Sequence, residues 1–236
     1  MTAGRGSKDP EGMEHPTRVP EAGPVRALAV LSGVVGVLAG LFLIGFFTLD
    51  SYGVRLAGIS LGSVNDVLGA IQFATLAPVA WGLGRRLPPT RIVRVATGTA
   101  LIAMLGYVVL SVLLVAGVLT FAEQIGPVIA TIVAVYAWLL TVNLVGHRTR
   151  TLPRAVTRTG VLLAGGLLTG LVLAGAGYVL PGIGGRLVTW LGYGLGGLGW
   201  LGLPLYVLLL ATWVFGRPPS FLPTDHHHSI PEGISS

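Results

Sequence analysis

The 236-residue sequence contains no cysteine, and its only lysine is Lys8. Without thiols the chain has no disulfide bonds, thiolate metal sites or cysteine nucleophiles. Charge of either sign is scarce, since Asp, Glu, Lys and Arg make up 10% of the residues against about 25% in a typical soluble protein. So few charges cannot cover a folded surface in water, and the composition therefore predicts a chain whose solvent is lipid.

Long apolar runs dominate what is present, and hydrophobic residues make up 53% of the sequence. A helix needs about 20 such residues to cross the hydrocarbon core. We therefore predict an all-α membrane protein, a six-transmembrane-helix bundle. The predicted spans are approximately 26–48, 65–84, 95–120, 127–145, 159–180 and 193–215. The glycine-rich stretch 181–203 leaves two readings open, an interfacial or re-entrant segment or a part of the sixth span.

Polar, proline-rich stretches flank the apolar runs at both ends of the chain. Such stretches cannot bury enough apolar surface to order themselves. The predicted organisation is a disordered cytoplasmic tail over 1–24, a transmembrane domain over 25–215 and a second disordered cytoplasmic tail over 216–236.

Arginine is distributed unevenly between the predicted turns. Two turns, which we call the arginine turns, hold the residues Arg85, Arg86, Arg91, Arg94, Arg148, Arg150, Arg154 and Arg158. The turns on the other side hold only Arg55 and Arg186. Basic residues are retained on the cytoplasmic side during insertion, so both termini are predicted to be cytoplasmic. The excess of arginine over lysine and the richness in Ala, Gly, Val and Leu indicate a bacterial chain in the cytoplasmic membrane.

The lipid bilayer is the predicted partner, and the arginine turns are suited to bind anionic lipid headgroups. The formal net charge of +6 does not predict nucleic-acid binding, because no basic groove interleaved with aromatic residues is present. Three small-xxx-small spacings predict close helix packing and would also permit a homo-oligomer. They are Gly36–Gly40, Gly166–Gly170 and Gly192–Gly196.

Polar residues on the second span form the candidate site. Asn65 and Gln72 share a helical face with Gly69 between them, and Asp66 is an ionisable group at membrane depth, which by default indicates function. Together with Asn143 on the fourth span they could bind a solute or an ion. The alternative, which we favour, is a capping box in which Ser63 caps the helix and Asp66 follows three residues later.

Enzyme chemistry finds little support in the sequence. All five histidines lie in tails or in a cytoplasmic turn, which excludes a serine–histidine dyad and haem ligation within the membrane. No His-Glu-x-x-His motif and no paired intramembrane carboxylates are present. The run His226–His228 could hold a metal weakly, but on a Pro/Ser/Gly-rich tail we favour a solvated run. We predict no catalytic, cofactor-binding or metal-binding residues.

Three functions follow as hypotheses. The first is a non-enzymatic integral membrane protein of accessory, sensory or scaffold type, because no polar site clearly converges. The second is a small permease or channel, which needs Asn65, Asp66, Gln72 and Asn143 to meet in one cavity. The third is a membrane enzyme acting on lipid-linked substrates, for which only the arginines of the two arginine turns are present, without acidic partners.

Overall fold

A computed structural model describes residues 22–49, 52, 54–56 and 59–216. Within these ranges the chain forms six helices, each long and apolar enough to cross a membrane. They are α1 (Ala22–Leu49), α2 (Leu61–Arg86), α3 (Arg91–Val115), α4 (Phe121–Arg148), α5 (Arg154–Val179) and α6 (Gly182–Trp213). The prediction of an all-α six-helix membrane bundle is confirmed, and the protein is a multi-pass integral membrane protein. The predicted tails, including His226–His228, lie almost entirely outside the described residues.

The helices alternate in direction and close into a ring. Each helix packs against its neighbours in sequence, and α1 also packs against α6. The start of α1 meets the end of α2, where Gly82 faces Val25, and the end of α1 meets the start of α2, where Gly62 faces Phe46. This alternation places both arginine turns at one end of the bundle, which we call the arginine end. Arg55 and Arg186 lie at the opposite end.

The connection from α1 to α2 contains a short antiparallel hairpin of β1 (Arg55–Leu56) and β2 (Ile59–Ser60). Ser60 leads directly into α2 as its N-cap, because its side chain accepts a hydrogen bond from the backbone N–H of Ser63 at 3.1 Å. The expectation that Ser63 caps the helix is therefore wrong. Ser60 has the extended backbone that a cap requires, whereas Ser63 is already helical. Consequently Asp66 lies in the second turn of α2 and does not form a capping box.

Residues 182–203 of the glycine-rich stretch belong to α6, which is one continuous helix of 32 residues with Pro181 as its N-cap. At about 1.5 Å per residue it is roughly 48 Å long, longer than the hydrocarbon core of about 30 Å. The helix is therefore neither broken nor re-entrant in this region, although Pro204 lies within it.

Glycines bring the backbones of α5 and α6 into direct contact. A Cβ atom added to Gly170 would lie 2.7 Å from the carbonyl oxygen of Gly192, and a Cβ atom added to Gly192 would lie 2.7 Å from that of Gly170. Further along the pair, Gly177 faces Gly185 and Gly199 faces Leu167. The buried glycines of α6 at this contact recur every seven residues, which keeps them on one side of the helix. Gly170 and Gly192 of the predicted small-xxx-small spacings therefore pack within the chain.

Arg86 joins the ends of α2 and α6 at the arginine end. Its Nη1 atom donates a hydrogen bond to the carbonyl oxygen of Val214, and its guanidinium carbon lies 4.7 Å from the centre of the Phe215 ring. A guanidinium group over an aromatic face is attracted by the ring quadrupole. Arg86, which belongs to the first arginine turn, therefore also forms a structural contact between helices.

Candidate functional site

A small cavity lies inside the bundle between α1, α2, α3 and α6. Its polar lining comes from Asn65 and Gln72 on α2 and from Tyr107 on α3. Gly36, Ala39 and Gly40 of α1 and Trp200, Leu201, Leu203 and Pro204 of α6 complete the wall, with Gly69 between the two polar residues of α2. Asn65, Gly69 and Gln72 are four and three residues apart, so α2 presents all three on one face. The predicted polar stripe on the second span is thus found along one wall of a cavity.

Glycines make room for the polar side chains. A Cβ atom on Gly36 would lie 2.5 Å from Nε2 of Gln72, and one on Gly69 would lie 2.8 Å from the hydroxyl oxygen of Tyr107. The Tyr107 ring is fixed by stacking on Phe73, with ring centres 4.3 Å apart. No side chain larger than glycine fits at either position without displacing these groups. The two glycines are therefore needed for the Gln72 amide and the Tyr107 phenol to occupy this space.

The cavity has a volume of about 10 Å³, which is the space of about one water molecule. Gln72 is 4% exposed, and within the described part of the chain its side-chain amide forms no hydrogen bond. Pro204 has no N–H, so the carbonyl of Trp200 lacks its usual partner in the helix. The cavity therefore offers hydrogen-bonding groups to a molecule the size of water and is too small for an organic solute.

Asp66 lies beside this cavity but does not line it. The side chain is partly buried, and its Oδ1 atom accepts a hydrogen bond from Nδ2 of Asn65 at 3.5 Å. Asn65 therefore connects the carboxylate to the polar wall. The role of Asn65, Asp66 and Gln72 in binding a solute or ion stays a prediction.

Asn143 belongs to a different place in the bundle. Its Nδ2 atom donates to the carbonyl oxygen of Leu139 at 2.8 Å, and its Oδ1 atom accepts from the hydroxyl of Tyr206 at 2.9 Å. Gly160 on α5 packs directly against the same amide. The structure therefore brings Asn65 and Gln72 together and leaves Asn143 outside their cavity, in a contact between α4, α5 and α6.

Three buried tyrosines form such contacts and are not among the site residues that the sequence predicts. Tyr107 lines the cavity, Tyr206 donates to Asn143, and the hydroxyl of Tyr136 donates to the carbonyl oxygen of Gly199 at 3.0 Å. Tyrosines are usually expected at the membrane interface. These three lie well inside their spans, and that position in the sequence is the signal that could have found them.

The arginine end carries a strong excess of positive charge. The carboxylates among the described residues are those of Asp66 and Glu123, and both lie towards the opposite end. The third hypothesis needs acidic groups beside the arginines, and the described residues supply none there. Nor do three or more His, Asp or Glu side chains of that part of the chain come together as a metal site. Binding of lipid headgroups by the arginine turns stays a prediction.

Comparisons of the chain with models of known families, with curated proteins and with solved structures find no match.

Proposed function

We propose that the chain is a protein of the bacterial cytoplasmic membrane that acts as a non-enzymatic accessory, sensory or scaffold component. The observation that carries this proposal is the close packing of the helices around the predicted site on α2. The polar cavity has a volume of about 10 Å³, and Asn143 lies elsewhere, in a hydrogen-bonded helix contact. A permease for an organic solute needs a larger site, so this packing favours a protein that works through its surfaces.

The proposed orientation has both termini in the cytoplasm. It is supported by the segregation of arginine at one end of the bundle, at the turns from α2 to α3 and from α4 to α5. Arg26, near the start of α1, adds to the same end. Under the positive-inside rule this end faces the cytoplasm.

A second candidate function is the passage of protons or a small cation, and the cavity shared by Asn65 and Gln72 favours it. Asp66 would be the ionisable group, since Asn65 connects its carboxylate to that cavity. This candidate requires a transient opening towards both ends of the bundle. Its site coincides with the predicted one on the second span, without Asn143.

Proton flux into proteoliposomes distinguishes the two candidates. For an accessory protein we expect wild-type protein and Asp66→Asn to give the same flux as protein-free liposomes, because the polar cavity holds no more than about one water molecule. A wild-type flux above that of empty liposomes that falls at least tenfold in Asp66→Asn, roughly the loss of 1.4 kcal/mol, would establish the second candidate. Thr75→Ala is the matched control on the same helix, since its hydroxyl bonds only to carbonyl oxygens of α2.

A further inference from the structure

The turn between α5 and α6 carries an open groove with a volume of about 380 Å³. It lies at the end of the bundle opposite the arginine end, where α5 finishes and α6 begins. The groove is lined chiefly by Tyr178, Gly177, Arg186, Thr189, Trp190 and Tyr193. This volume lies within the range of about 300–1,000 Å³ that is usual for small-molecule sites.

Three aromatic rings around the groove remain exposed. Tyr178 is 74% exposed, Trp190 is 72% exposed and Tyr193 is 48% exposed. The hydroxyls of Tyr178 and Tyr193 are hydrogen-bonded to each other, and the Trp190 and Tyr193 rings meet edge to face with centres 6.0 Å apart. Rings at the ends of membrane-spanning helices occupy the headgroup level of the bilayer. The groove therefore lies at the depth of lipid phosphates and glycerol groups.

Arg186 places a positive charge at the same groove. It is exposed and makes neither an ion pair nor a hydrogen bond with any residue that the structure describes. Trp190 and Tyr193 follow it by four and seven residues, so the guanidinium group and the two rings share one face of α6. The hydroxyl of Thr189 is already used, since it donates to the carbonyl oxygen of Gly185 at 3.0 Å. The charge of Arg186 is the main polar feature left to recognise a ligand.

We propose that this groove binds one anionic phospholipid, with the phosphodiester at Arg186 and the glycerol region against Trp190 and Tyr193. Arginine matches phosphate oxygens with two parallel hydrogen bonds. No carboxylate lines the groove, and the positive charge of Arg186 would repel the ammonium group of a choline or ethanolamine headgroup, so an uncharged glycerol headgroup is preferred. Under the proposed orientation the lipid belongs to the outer leaflet. This inference is independent of whether the bundle conducts ions.

Native mass spectrometry of the purified full chain with added phosphatidylglycerol or phosphatidylcholine tests the proposal. We expect the wild-type protein to retain one phosphatidylglycerol molecule and Arg186→Gln to bind that molecule about fivefold more weakly. Phosphatidylcholine should not replace it. Arg55→Gln is the matched control, because Arg55 lies at the same end of the bundle outside the groove, and it should retain the same number of lipids as the wild type.

A second pair of variants tests the aromatic part of the groove. Trp190→Ala should weaken phosphatidylglycerol retention, whereas Trp81→Ala, which removes an exposed tryptophan at the arginine end, should not. Equal phosphatidylglycerol retention by the wild type and Arg186→Gln would overturn the proposal. Equal retention of the two lipids by the wild type would overturn it as well, because the site would then not select an anionic headgroup.

Discussion

Asn143 shows at the residue scale how a single amide connects three helices. Its side chain is fully buried, bonds to Leu139 in its own helix and accepts from Tyr206 on α6, while Gly160 gives it space on the side of α5. In this environment water cannot replace a hydrogen-bond partner that the amide loses. Its contribution should therefore be visible as coupling between α4 and α6.

We expect Tyr206→Phe to lower the free energy of unfolding by about 0.5–1 kcal/mol, since hydrogen bonds between membrane helices average about 0.6 kcal/mol. In a double-mutant cycle with Asn143→Ala, the two substitutions should be coupled by a similar amount. Unfolding by denaturing detergent measures both quantities. Thr141→Ala is the control for Asn143→Ala, because the Thr141 hydroxyl bonds only to Ala137 in α4, and its coupling to Tyr206→Phe should be absent. Additive effects of Asn143→Ala and Tyr206→Phe would contradict the role of this hydrogen bond.

The capping residues show what local spacing can and cannot predict. Ser63 and Asp66 have the spacing of a capping box, yet α2 begins at Leu61 after Ser60. Thr120 and Glu123 have the same spacing and do form the box, with Glu123 Oε2 2.8 Å from the Thr120 nitrogen. The difference is the hairpin before α2, whose pairing ends at Ser60 and starts the helix there. The hairpin begins at Arg55, so the residues that determine where α2 begins lie outside the four-residue pattern of Ser63 to Asp66.

At the scale of elements, the paired backbones of α5 and α6 depend on the absence of side chains. Hydropathy and length locate the spans, because every backbone group in lipid must be satisfied within a helix. The continuity of α6 through its glycines could not be predicted in the same way. Glycine lowers helix propensity in water, whereas here the glycines are the surface on which α5 packs. Which glycines make contact depends on the axial stagger of the two helices, and no local pattern encodes it.

Gly192→Ala should destabilise the bundle by about 1–3 kcal/mol, as expected for overpacking. The added methyl group would meet backbone atoms of Gly170 and Ala174, which cannot rotate away as a side chain could. Gly194→Ala, two residues along α6, places its methyl group where nothing lies within 4 Å. It should change stability by less than about 0.5 kcal/mol. Thermal unfolding of the two purified variants measures the difference, and equal melting temperatures would contradict the proposed backbone contact.

At the scale of the whole molecule, charge is distributed unevenly between the two ends of the bundle. Arginine is concentrated at one end and the described carboxylates lie towards the other, so the bundle is electrically polar along the membrane normal. This asymmetry could be predicted from the sequence, because the prediction needs only the order of the spans and turns. Only one part of the cavity could be predicted from the sequence, namely the stripe of Asn65 and Gln72, which follows from helical spacing. Its partner Tyr107 and the separation of Asn143 depend on how α2, α3, α4 and α6 meet in three dimensions.

The proposed orientation predicts a simple labelling pattern, because the natural chain has no cysteine. Val118→Cys, in the turn between α3 and α4, should react with a membrane-impermeant maleimide on intact cells. Thr151→Cys, in the turn between α4 and α5, should react only after the cells are permeabilised. Both positions are exposed, so access to the reagent depends on the side of the membrane. Labelling of Thr151→Cys and not Val118→Cys on intact cells would reverse the orientation.

The glycine contact between α5 and α6 also has a thermodynamic consequence. Burying a long side chain at a helix interface freezes its rotamers at a cost of up to about 2 kcal/mol, whereas glycine has none to freeze. The association of α5 with α6 therefore loses little side-chain entropy, and the penalty that grows with temperature at other interfaces is small here.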